Sequence, residues 1–152
     1  MTEIRIVDAP EQHTAVVHEQ VPMAELKDFF ARAFEAAMHA IRTQRAVPVG
    51  PPFGTYLGPP GETVDVEAGF PVATPIEDAD GVVASTLPAG EVDEAVHIGP
   101  YDTKETTSAE IAAWMAAQGL RPGPVMWESY LTDPGNEPDP ATWRTLIVWP
   151  TT

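Results

Sequence analysis

The same succession of sequence patterns runs through this chain twice, and that recurrence restricts its fold more than any single motif does. Thr14 to Gln20, "TAVVHEQ", alternates and is rich in β-branched residues, which reads as a strand. Pro22 sits where a helix can begin, and Leu26, Phe29, Phe30, Ala33, Phe34, Ala37 and Ile41 then recur at the three-and-four spacing of an amphipathic helix. The stretch "PVGPPFGTYLGPPGE" holds a short strand bracketed by Pro and Gly, and "VDVEAGFPVA" is a further strand after a tight turn. A polar break, "IEDADG", follows. The order then starts again. "GEVDEAVHIGPY" reads as a strand and "YDTKETTSAEIAAWMAAQG" as a helix, with Asp102 as N-cap, Glu105 three residues on and Gly119 at the C-terminal end. "PVMWESYLTD" and "TWRTLIVWP" are strands joined through the turn-rich "DPGNEPDP".

Residue matches accompany the repeated order: Val17-His18 and Val96-His97, Phe53-x-x-Tyr56-Leu57 and Trp127-x-x-Tyr130-Leu131, Phe70-Pro71 and Trp149-Pro150. The expected fold is α+β, with tandem strand-helix-strand-strand modules, repeat one at about 14–73 and repeat two at about 89–150, antiparallel sheets and a pseudo-twofold axis between the halves. Neither module buries its apolar faces alone, so residues 1–152 are predicted to form one domain, with the break near Thr74 to Gly81 internal to it.

Composition supports a packed core and narrows the partners. The 152 residues are 43% hydrophobic and 20% charged. No run reaches the length of a transmembrane helix, and the start, "MTEIRIVDAP", lacks the succession of a signal peptide, so a cytoplasmic protein without membrane contact is expected. Cysteine is absent, which removes disulfides, thiolate nucleophiles and most structural zinc sites. Four histidines, none at short paired spacing, predict no metal site, and no cofactor is expected. The formal net charge of −15 repels phosphate backbones and argues against direct nucleic-acid binding. Lys27, Arg32, Arg42 and Arg45 cluster around the first helix, whereas Ala46 to Thr103 contains no basic residue and carries an acidic, solvated surface. Neither a Gly-rich phosphate cradle nor a nucleophile elbow is present.

One residue stands out against its surroundings. In "VMWESYLTDP" the carboxylate of Glu128 lies between Trp127 and Tyr130 in an otherwise apolar strand. A buried, unpaired carboxylate costs several kcal/mol. Glu128 therefore either faces water or has a partner. Strand parity puts Val125, Trp127, Ser129 and Leu131 on one face and Met126, Glu128 and Tyr130 on the other. The first face is the better core, which predicts that a helix covers it and leaves Glu128 on the open face. The first module then puts Phe53, Thr55 and Leu57 on its helix side and Pro52, Gly54 and Tyr56 opposite, with Gly54 the counterpart of Glu128. His97, read as the counterpart of His18, is a candidate to line the same face or to donate to Tyr101 or Glu128. Glu67 is a second candidate acid, and Ile111, Trp114 and Met115 read as core.

The ordered set "GPPFGTY", "DVEAGFPV", "LPAGEVDEAVHIGPYDT" and "WESYLTDPGNEPDPATWRTLIVWP" resembles a GyrI-like (gyrase-inhibitory-protein-like) small-molecule-binding domain, from about Thr14 to Pro150. That domain also forms the effector-binding part of AraC-type and MerR-type multidrug regulators in bacteria, and this chain is expected to be a stand-alone member. The resemblance implies a groove between the halves in which amphipathic or cationic aromatic molecules lie against aromatic side chains and a central acid. Glu128, Tyr130, Tyr56, Gly54, Met126, His97, Tyr101 and Glu67 are the residues expected to line it. The implied function is small-molecule binding, for sequestration or for reporting the ligand to a partner protein whose identity is open. An alternative implied by the resemblance is a hydrolase opening the ring of cyclopropanoid alkylating agents, with Glu128 positioning or deprotonating water and Tyr130 or Tyr56 hydrogen-bonding the developing oxyanion. A third reading, modulation of gyrase, follows from the family's name alone.

Overall fold

The apolar stripe predicted for the first helix becomes a helix from Leu26 to Thr43 in the computed structural model, which describes residues 3–58, 61–100, 103–121, 123, 125–132 and 139–151. The elements are β1 (Ile4–Ala9), β2 (Gln12–Pro22), α1 (Leu26–Thr43), β3 (Phe53–Tyr56), β4 (Thr63–Pro71), β5 (Val83–Leu87), β6 (Gly90–Ile98), α2 (Lys104–Ala117), β7 (Met126–Tyr130) and β8 (Arg144–Pro150). The class is α+β and every named strand pairing is antiparallel, as the sequence predicts. Tyr101, the N-cap expected at Asp102 and the turn expected across 133–138 lie outside the described residues.

Two strands were not expected. β1 and β5 precede the two predicted modules in sequence, and each pairs with the other module. β1 joins β6, with Ile4 opposite Ala95, and β5 joins β2, with Gln12 opposite Leu87. The chain accordingly divides into two compact units: residues up to Ala9 together with those from Gly90 onward, and Pro10–Ala89. The crossings fall beside β1 and β6, away from the polar break at 74–81. Alternation in "IRIVDA" is weak because Asp8 and Arg5 are exposed on a strand at the end of its sheet, and such an edge strand needs only one apolar side.

The unit Pro10–Ala89 carries the strand order β3-β4-β2-β5 with α1 on one face. Val21, Phe29, Ala33, Val64, Val66 and Ala68 form one buried cluster there, flanked by Phe30, Phe34 and Tyr56. Ala15, Ala37, Ala40, Ile41, Val72, Ile76 and Val82 form a second. Gly69 permits the close approach of β4 to β2, since a Cβ there would stand 1.8 Å from the Ala15 carbonyl oxygen.

The other unit has the order β1-β6-β8-β7, and its core of Ala95, Ile111, Met115 and Ile147 lies under α2. Gly119 ends α2 with a positive φ of 74°, the left-handed stop expected at that glycine. Among the described residues no helix is long and apolar enough to cross a membrane.

Candidate functional site

Glu128 does not face water. It is 4% exposed, on the α2 side of its sheet, and stands opposite Ile147 of the α2 core. Its neighbour of like parity, Met126, packs into that same core. The face assignment made from the sequence is therefore reversed. The reason is that both faces of β7 are buried here: Trp127 and Val148, on the side away from α2, are 5% and 4% exposed. Hydrophobicity alone could not tell which of two covered faces carries the helix. The other unit is reversed in the same way. Tyr56 packs against α1, its ring edge-on to Phe30 at 6.5 Å, and Gly54 stands opposite Ala68 of the α1 core.

The partner that a buried carboxylate requires is Lys104, the first residue of α2. Its Nζ donates to Glu128 Oε1 at 2.7 Å, and the Tyr130 hydroxyl donates to the same oxygen at 3.3 Å. The ammonium also lies 5.7 Å from the centre of the Tyr130 ring, within cation–π range. The Lys104 side chain is 18% exposed and that of Glu128 5%. Sequence reading overlooked Lys104. The signal was available: between Arg45 and Arg121 it is the lone basic residue, and it opens a helix, where the macrodipole disfavours a cation.

Next to this pair across the sheet are Thr145 and His97. Thr145 stands opposite both Tyr130 and His97, is fully buried, and its hydroxyl has no partner among the described residues. His97 Nε2 lies 3.0 Å from the Pro100 carbonyl, which can only accept, so this nitrogen donates. Nδ1 meets the Thr107 hydroxyl at 2.7 Å. Thr103, just before α2, donates its hydroxyl to the same carbonyl at 2.8 Å. His97 thus ties the end of β6 to the first turns of α2, and Thr107 is the helix residue it holds. It does not bond Glu128. Glu128, Tyr130, Thr145 and His97 form a polar group on this face, beside the apolar core of Ala95, Ile111, Met115 and Ile147.

The two histidines read as counterparts are not equivalent. Aligning β4 with β8 through Phe70-Pro71 and Trp149-Pro150 sets Val66 against Thr145. Val66 pairs with Glu19 and Tyr56, and Thr145 pairs with His97 and Tyr130. His97 therefore corresponds to Glu19, one place along from His18. The correspondence of Gly54 with Glu128 and of Tyr56 with Tyr130 holds in this register.

Glu67 lies in the Pro10–Ala89 unit, opposite Thr55 and His18 on the face away from α1. Burial pushes its carboxyl above the usual range, with His18 pulling it down and Asp65 pushing it up. His18 itself is bonded to Asp65. Of the predicted site residues, Glu128, Tyr130 and His97 are gathered on one face of one unit. Met126 is core, and Gly54, Tyr56 and Glu67 belong to the other unit.

A family profile described as a GyrI-like small molecule binding domain matches residues 2–151. No curated protein sequence matches the chain. Among solved structures, the EcmrR C-terminal domain is similar with a TM-score of 0.88 and 18% identity, over 100% of this chain and 98% of that one. In the EcmrR–DNA complex the corresponding values are 0.87 and 19%, over 99% of this chain, which spans 57% of the length of the EcmrR chain. A hydrolase from Listeria innocua is similar with a TM-score of 0.70 and 16% identity, over 99% and 92% of the two chains. SAV2435 bound to tetraphenylphosphonium is similar with 0.65 and 10%, over 99% and 94%. Identities this low establish the shared fold alone.

Proposed function

Because the chain belongs to the GyrI-like small-molecule-binding domain family, we propose that it binds a hydrophobic, cationic aromatic small molecule at the cluster of Glu128 and Tyr130, for sensing or sequestration. The observation that carries this reading is a carboxylate held almost wholly out of water beside an aromatic ring, with a positive charge lying on both. That geometry recognises an organic cation: Coulomb attraction is strong where water is excluded, and a cation over the ring adds about 0.5–2 kcal/mol. The tetraphenylphosphonium complex of SAV2435, a protein of the same fold, supports the ligand class.

Titration with tetraphenylphosphonium, followed by tryptophan fluorescence and calorimetry, tests the reading. Glu128→Gln should weaken that cation about tenfold or more, since a buried charge pair is worth over about 1.4 kcal/mol, and leave the neutral triphenylphosphine oxide unaffected. Equal affinities of wild type and variant for both compounds would overturn it.

The hydrolase reading asks more of Glu128. A general base must have a lone pair free for the proton it takes; Oε1 already accepts from Lys104 and Tyr130, so that task would fall to Oε2, beside an ammonium that makes the carboxylate less basic. Mass spectrometry of a cyclopropanoid compound incubated with the protein checks it. Water addition that Glu128→Gln abolishes would favour the hydrolase.

A further inference from the structure

Lys104 makes the two contacts that the preceding reading assigns to a ligand's charge. Its ammonium donates to the buried oxygen of Glu128 at 2.7 Å and lies 5.7 Å from the Tyr130 ring centre. It does so from the first turn of α2, where the helix dipole opposes a positive charge. With Lys104 in place, the Glu128 oxygen already has a cationic partner.

We infer that Lys104 is a resident cation, tethered to α2, that an incoming organic cation must displace from Glu128 and Tyr130, and that this exchange sets the ligand selectivity of the site. The inference rests on the binding reading above and goes beyond it. A neutral guest gains nothing by displacing the ammonium. A cationic aromatic guest replaces one charge by another, adds its own apolar surface, and lets the ammonium reach water along a flexible stem. Lys104 is 18% exposed already, so the path to solvent is short. The cost of expelling Lys104 is subtracted from every cation's affinity, which excludes small, strongly hydrated cations that offer no apolar surface in return.

The protein is suited to a direct test, because its two lysines are Lys27, exposed on α1, and Lys104. Reductive methylation followed by mass spectrometry reads both at once, with Lys27 as internal control. Saturating tetraphenylphosphonium should raise the labelling of Lys104 severalfold relative to Lys27, whereas triphenylphosphine oxide should leave the ratio unchanged. Lys104→Met should bind tetraphenylphosphonium about tenfold more tightly, the resident competitor having been removed. The labelling measurement uses the unaltered chain and stands even where that variant fails to fold. Binding of tetraphenylphosphonium with an unchanged Lys104 ratio overturns the exchange and leaves the binding reading intact. No binding of the cation by wild type or by Lys104→Met overturns both.

Discussion

The two units share one strand order and one pairing register, yet the face beneath α2 carries buried polar groups at three places where the face beneath α1 is apolar. Under α1 the register places Ala15, Val66, Ala68 and Gly54, with Phe29, Phe30 and Phe34 from the helix. At the corresponding places under α2 stand Asp93, Thr145, Ile147 and Glu128. One scaffold has spent its helix–sheet interface on packing. The other has two acids and a hydroxyl at three of the same positions, and these cost stability unless each is paired. Groups that fold stability does not ask for point to function, which is why we propose the site on the α2 face.

The largest expected effect tests the packing side of the contrast. Phe29 is wholly buried between α1 and its sheet. Phe29→Ala should cost about 3–5 kcal/mol, read as a fall in the denaturant midpoint. A loss below about 1 kcal/mol would mean that the α1 interface is not the tight core described.

Glu128 and Lys104 test the polar side. Glu128→Gln leaves a cation at a helix N-terminus, partly able to reach water, and should cost about 1–3 kcal/mol. In the double variant Glu128→Gln/Lys104→Met the two losses should not add, with a coupling of about 1–2 kcal/mol. Additive losses in a double-mutant cycle would show that the pair contributes nothing as a pair.

Much of this contrast could be read from residue spacing, and part of it could not. The α1 stripe was legible because seven apolar residues keep helical spacing, and Glu128 was legible because a charge interrupts an apolar strand. What spacing leaves open is the side of the sheet on which a helix lands. Parity separates Glu128 from Trp127 but does not name the covered face when both are buried. The exchange of β1 and β5 was hidden for a related reason: strand pairing is a long-range choice, and nothing in "IRIVDA" specifies a partner that begins at Gly90. His18 and His97 were misaligned because one residue of slip in a strand moves every side chain to the other face, while the motif match Val-His is too short to fix the register.

Asp93 gives a smaller effect with a pH signature. It is wholly buried opposite Trp149, where the other unit has Ala15 opposite Phe70, and neither carboxylate oxygen has a partner among the described residues. Burial pushes its carboxyl above the usual range, and Glu91 adds to the rise. The folded state therefore holds this proton more tightly than the unfolded chain does. Stability contributed by the protonated form is full below the unfolded value and is lost as pH rises through the folded one. Replacing Asp93 by Asn should remove that loss and raise stability by about 1 kcal/mol at neutral pH, with little change in acid. Denaturation curves across this pH range check it. A variant that runs parallel to wild type at every pH would place the proton elsewhere, Glu67 being the group shifted in the same direction.

The smallest effect sets two ion pairs of similar chemistry against each other. Arg32 on α1 donates to Glu19 at 3.3 Å and lies 5.7 Å from the Phe29 ring centre, but the two charged side chains are 60% and 41% exposed. Water competes for both partners, dissolved ions screen them, and two long side chains must be held still. Arg32→Ala should therefore cost only about 0.2–1 kcal/mol, and the cost should shrink as salt is raised to about 1 M, where the Debye length falls to roughly 3 Å. The Glu128–Lys104 pair, sheltered by α2, should keep most of its coupling in the same salt because ions do not enter between its partners. Parallel salt series on Arg32→Ala and on the Glu128/Lys104 cycle distinguish the two. If the sheltered coupling fades with salt as steeply as the exposed one, water and ions reach Glu128 freely. The contrast between a dry polar site under α2 and an ordinary surface pair on α1 would then fail.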